Sequence, residues 1–145
     1  MSHAPVRRRS RRSNRRGAAL VEAALVLPIM IMVVLGMFEL GRAVMVTNSL
    51  THAASIGART GAITSGTTAS VQATVNDRLD ESGINRANCQ VRILVNGVAG
   101  EIAAAQAGDE ICVEISVPYA DVTWVATPEY LAGKSLSGRC VMRRE

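Results

Sequence analysis

Glu22 is the one charged residue in an otherwise apolar run from Ala18 to Met37, and it lies five positions after Gly17 in the cluster Arg15-Arg16-Gly17. A lone carboxylate so near the edge of a membrane-length segment must snorkel to the headgroups, be neutralised, or meet a cationic partner. Snorkelling is the plainer reading. The sharper one pairs Glu22 with a positive group on a neighbouring subunit. A cut after Gly17 would create such a group, because Ala18 would then carry a free α-amine at nearly the same depth.

No other set of residues proposes chemistry as definite. His3 lies in the N-terminal tail, which leaves His52 as the one histidine of the body, and no nucleophile elbow accompanies it. Asp77, Asp80 and Glu81 lack the spacing and the glycine of a calcium loop and read as the wet face of a helix. No Gly-rich phosphate loop occurs. We therefore expect no catalytic residues, no metal and no cofactor, and no enzyme. Cys89, Cys112 and Cys140 form no CxxC pair, which argues against a zinc ribbon or thioredoxin-like site. Small buried thiols and a single disulfide are both open readings for them.

The elements that must position Glu22 begin with the tail. Seven arginines and no acid precede Gly17, so the +4 net charge hides a mildly acidic body of nine basic and twelve acidic residues. The segment 1–16 has no apolar periodicity and is expected to be a disordered basic leader. Aromatic residues are few (Phe38, Tyr119, Trp124, Tyr130), which argues against a base-stacking surface and leaves no nucleic-acid partner expected. The twenty residues from Ala18 to Met37 span about 30 Å as a helix, the thickness of a bilayer's hydrocarbon core. They are apolar all round, unlike the one-sided helix of a soluble core. We read 17–40 as a transmembrane helix in contact with membrane lipid, tolerant of Pro28 because neighbours can re-satisfy the freed carbonyl. Arginines before the span set the N-terminus in the cytoplasm and the rest outside. The run ends in Glu39-Leu40-Gly41-Arg42 rather than in a small-residue cleavage site, which argues against a removed signal peptide.

Beyond the span, 41–145 reads as an extracytoplasmic α+β domain. The helix is expected to continue to about Thr64–Gly66, with Leu40, Val44, Thr47, Leu50, Ala54, Ala58 and Ala62 on one face and Arg42, Asn48, His52 and Arg59 on the others. Its small residues from Ala53 to Ala62 suit close packing, either against another helix or against the domain beneath. Thr67 or Thr68 is expected to cap a second helix reaching about Ser82, with Val71, Val75 and Leu79 on one face and Gly83 as terminator. Alternation from Cys89 to Val95, from Ile111 to Val117 and over Ser135 to Arg143 predicts strands of a small antiparallel sheet of three or four strands. Asn96-Gly97 is expected to open a long connection, and Tyr119 to Gly133 to form a loop or short helical cover. On the alternation, Cys89 and Cys140 share a face that Cys112 does not, so a Cys89–Cys140 pair is the preferred bridge if one forms.

The order of these features carries a resemblance. Arg15-Arg16-Gly17 followed by Ala18-Ala19-Leu20-Val21-Glu22 resembles the processing site of prepilin-like proteins, with glycine before the cut and glutamate fifth after it. From Arg15 to Ala62 the chain is similar to the TadE-like family of the tight-adherence (Flp) pilus system. The matching pieces are that junction, the apolar run with Pro28, then Phe38-Glu39-Leu40-Gly41-Arg42, then Ala53-Ala54 with Gly57-Ala58-Arg59. The resemblance implies a pilin-like fold and a pseudopilin or minor pilin in the inner membrane that supports pilus assembly. It makes Gly17 the cleavage position of a prepilin peptidase, Ala18 the new N-terminus and Glu22 the assembly carboxylate. It also implies other pilins, pseudopilins and pilus-assembly proteins as partners. Ala23 stands where the major pilins of this class carry tyrosine, and the C-terminal domain exceeds those short subunits, which argues against a shaft protein. The alternative is a single-pass membrane-anchored binding domain of unrelated role.

Overall fold

A computed structural model describes residues 13–123 and 133–145. The chain falls into two units that part between Phe38 and Glu39. Helix α1 (Ser13–Ala62) runs through Pro28 without ending. Its first turn takes in residues 13–16, so the expected disordered leader does not extend to residue 16, and residues 1–12 lie outside the described residues. In the first unit every side chain from Ala18 to Phe38 is exposed. A soluble core helix would be mostly covered. Among the described residues this is the one helix long and apolar enough to cross a membrane, with none of its apolar window buried.

In the second unit α1 turns amphipathic. Val46, Leu50, Ala53, Ala54, Ala58 and Ala62 are buried, spaced three and four residues apart as one helical face requires. The predicted face is right from Leu50 onward and wrong before it, since Leu40 and Val44 are exposed. The small residues serve this unit's own core. A Cβ at Gly57 would sit 2.6 Å from Val75 Cγ2, and one at Gly61 would sit 3.0 Å from both Ile102 Cδ1 and Ile111 Cγ2.

Helix α2 (Thr68–Glu81) starts at a capping box, in which the Thr67 hydroxyl accepts from the Ser70 amide and the Ser70 hydroxyl accepts from the Thr67 amide. Gly83, at φ +68°, takes the left-handed position just past its end, where a side chain would be strained. Val71, Val75 and Leu79 are fully buried, as the spacing predicts. Asp77, Asp80 and Glu81 are exposed, with Arg78–Glu81 and Arg86–Asp80 ion pairs at 2.6 and 3.3 Å.

The sheet has strands β1 (Gln90–Val95), β2 (Val98–Ala99), β3 (Glu110–Pro118) and β4 (Ser135–Arg143), in the order β2-β1-β3-β4, all antiparallel. The fold is α+β. Asn96-Gly97 does not open a long connection but closes a two-residue hairpin into β2, with both residues at positive φ (51° and 81°). That is the Asn-Gly turn whose twist matches paired strands. Val113, Ile115 and Val117 face α1 and α2 and join Leu50, Leu79 and Ile102 in one core. Each such side chain contributes roughly 1.5–3 kcal/mol by leaving water.

The Cys89–Cys140 bridge is not formed, and all three cysteines are free thiols. Their shared face is as expected, since both pack against the core. Register keeps them apart. Cys89 precedes Gln90, which pairs with Ser116, whereas Cys140 pairs with Val113 on the other side of β3. Two strand spacings, roughly 9–10 Å, already exceed the Cα separation a disulfide can span. Trp124, Pro128 and Tyr130 lie outside the described residues, and the chain before them makes a single 3-10 turn at Tyr119–Asp121.

Candidate functional site

Gly17, Ala18 and Glu22 all lie on the exposed surface of α1. Ala18 and Glu22 stand one helical turn apart and so share a face. A Cβ at Gly17 would meet nothing within 4 Å. Glu22 has no hydrogen bond or ion pair among the described residues. The junction is thus open to another protein, and its carboxylate has no partner among the described residues.

At the start of the second unit the charges of α1 turn inward. Glu39 accepts hydrogen bonds from the Tyr119 hydroxyl at 3.2 Å and the Thr123 hydroxyl at 2.8 Å. Arg42 donates from Nε to the Val122 carbonyl. Both are half-buried. Together they clasp the Tyr119–Asp121 turn to the helix across some eighty residues of sequence. Such charge-assisted bonds are about twice as strong as neutral ones. This corrects the expectation that Arg42 decorates a solvent face. Tyr119 and Thr123 as partners of Glu39, and Val122 as partner of Arg42, were missed, because no spacing rule links residues so far apart.

The residues singled out by resemblance therefore divide by what they touch. Gly57 and Ala58 are buried under α2 and β3. Glu39 and Arg42 hold the turn. Phe38, Gly41 and Arg59 are exposed, and a Cβ at Gly41 would meet nothing within 4 Å. No contact among the described residues explains these three.

A second clasp lies at the other end of the sheet and was also unforeseen. Arg144 is 9% exposed and donates to the carbonyls of Ile102 and Thr64, while the Glu145 amide donates to the Ala62 carbonyl. The bonds to Thr64 and Ala62 satisfy carbonyls at and just beyond the end of α1, where the helix dipole also favours a cation. Nearby, Asp109 accepts from the Asn96 side-chain amide (2.9 Å) and the Gln106 amide (2.7 Å). Those two bonds, that of Asn96 first, hold its carboxyl below the ordinary value of 3.8.

The Cys89 thiol is not poised for reaction: burial pushes it up, helped by the charge of Asp121, and a thiol held protonated is a poor nucleophile and a poor ligand. Cys112 is buried, with Arg139 Nε donating to its sulfur at 3.1 Å. Among the described residues no cluster of His, Cys, Asp and Glu has the geometry to hold a metal ion. His52 is exposed at the rim of a shallow open groove with Asn48 and Ser82.

A membrane-length helix that runs on into a small α+β unit fits a single-pass membrane anchor. Residues 17–59 match the family model described as TadE-like protein, the family that the junction and the Glu39–Arg42 stretch resemble. No curated protein and no solved structure matches the chain.

Proposed function

We propose that the chain is a TadE-like pseudopilin or minor pilin that supports assembly of a tight-adherence (Flp-type) pilus. The family match points to a protein related to the Tad pilus, and the single exposed apolar helix fits a membrane anchor. The observation that carries the finer reading is the state of the junction. Gly17 and Ala18 are accessible on α1, and Glu22 lies one turn beyond without a partner among the described residues. In this reading a prepilin peptidase cuts after Gly17 on the cytoplasmic side of the inner membrane. The new amine of one subunit then meets Glu22 of another, which relieves the cost of a lone carboxylate in the bilayer. The remaining domain lies outside and contacts other pilins and assembly proteins.

Glu22→Ala tests this pairing. Membrane insertion should be unchanged, since the segment only becomes more apolar, while recovery of pilin partners with the tagged protein should fall about tenfold or more, as a lost ion pair in lipid would give. Undiminished recovery would remove the pairing role and favour an anchored binding domain of unrelated role.

A further inference from the structure

Between Glu39 and Met45, α1 is inside out for a helix in water. Its two charged residues, Glu39 and Arg42, turn toward the domain and are satisfied there by Tyr119, Thr123 and the Val122 carbonyl. Its large apolar residues point outward: Leu40 is 70% exposed, Val44 60% and Met45 59%. A solvated helix does the opposite, with apolar residues toward the core and charges outward. Half-burying two charges is costly unless they are hydrogen-bonded, and here they are. Both halves of this inversion fit surroundings that disfavour exposed charge and favour exposed hydrocarbon.

We propose that the stripe Leu40, Val44 and Met45 faces lipid at the boundary between acyl chains and headgroups, so that bilayer contact continues past Phe38 to Met45. Two observations select lipid over a partner helix. The stripe follows directly on a segment, Ala18–Phe38, that is exposed on every side, and a single partner helix covers one side only. Length agrees as well. The 28 residues from Ala18 to Met45 rise about 42 Å as a helix, matching the 40–45 Å of a bilayer that includes its interfacial regions. Contact ends before Asn48, which is exposed and polar, as is His52 one turn further on. The clasp from Glu39 and Arg42 then acts to keep both charges out of lipid, on the side where the domain supplies their partners. This inference rests on the membrane-anchor reading.

The methionines provide the test without altering the stripe. The full chain, labelled at its methionine methyl groups and placed in lipid nanodiscs, is observed by NMR with a nitroxide carried near the headgroup end of the acyl chain, and separately with a soluble gadolinium chelate. Met45→Leu assigns the Met45 resonance. Met32, 71% exposed within the span, reports the anchor, and Met142, packed against the core, reports the domain. We expect the lipid nitroxide to abolish the Met45 and Met32 signals while sparing Met142, and the chelate to spare Met45. If Met32 responds to the lipid probe but Met45 responds only to the chelate, the stripe faces water and the inference fails while the anchor stands. If Met45 responds to neither probe, another protein surface covers it and the inference also fails. If Met32 itself responds only to the chelate, the anchor reading fails, and the inference with it.

Discussion

The backbone of Gly138 in β4 lies directly against that of Thr51 in α1: a Cβ at Gly138 would come within 2.7 Å of Thr51 Cα. Strand and helix meet here main chain to main chain, with no side-chain end that could swing aside. Gly138→Ala should therefore lower stability by at least about 2 kcal/mol, because overpacking against rigid backbone is not relieved by rotamer changes. Thermal unfolding of the full chain followed by circular dichroism checks this. Gly41→Ala provides the contrast, since its site is open and replacing a helical glycine raises stability by about 1 kcal/mol.

The clasp between Glu39 and the Tyr119–Asp121 turn should be separable from the rest of the fold. Glu39→Ala removes the acceptor for both the Tyr119 and Thr123 hydroxyls, a loss of about 1–3 kcal/mol for bonds to a charged group. Hydrogen exchange should quicken at the Val122 and Thr123 amides, which donate to the Tyr119 carbonyl, while the β3 amides stay protected. Equal acceleration throughout would mean that the clasp supports the whole unit.

Asp109 gives the domain an acid-sensitive contact. Its folded carboxyl lies below the ordinary 3.8, chiefly through the Asn96 hydrogen bond. The stability it contributes is thus complete above that value and is lost as pH falls through the folded pKa beneath it. Asp109→Asn should flatten the fall in melting temperature below about pH 4. An unchanged acid limb would assign that fall to other carboxylates.

Arg144→Ala leaves the Thr64 and Ile102 carbonyls without its guanidinium. A buried acceptor stripped of its partner costs about 1–3 kcal/mol, and the loss should appear first as faster exchange in the last turn of α1. Arg144→Lys keeps the charge but not the fork that reaches both carbonyls, so it should restore only part of the stability.

The course of α2 was legible because its signals are local. Thr67 and Gly83 mark its ends, and Val71, Val75 and Leu79 mark its face. The three long strands followed from alternation in the same way. What escaped the sequence was what depends on register or on solvent. Cys89 and Cys140 share a face, but only the pairing of Ser116 and Val113 shows them too far apart to bridge. Leu40 and Val44 share the spacing of the face that is buried from Leu50 onward, yet they are exposed, because spacing alone does not say where along a helix its cover begins. Arg144 is buried against the Ile102 and Thr64 carbonyls, distant partners that the antiparallel return of β4 supplies and no local spacing reveals. At the candidate site the spacing of Gly17, Ala18 and Glu22 was visible throughout, whereas the partners of Glu39 and Arg42 required the fold.

The central claim is that the Gly17–Ala18 bond is a processing site whose product amine serves Glu22. Intact-mass spectrometry of the protein extracted from its native membrane tests it most directly. The account predicts a mature chain beginning at Ala18, and its disappearance in favour of the unprocessed species when the prepilin peptidase is absent. A chain that retains the arginine-rich segment before Gly17 in membranes with an active peptidase would contradict it.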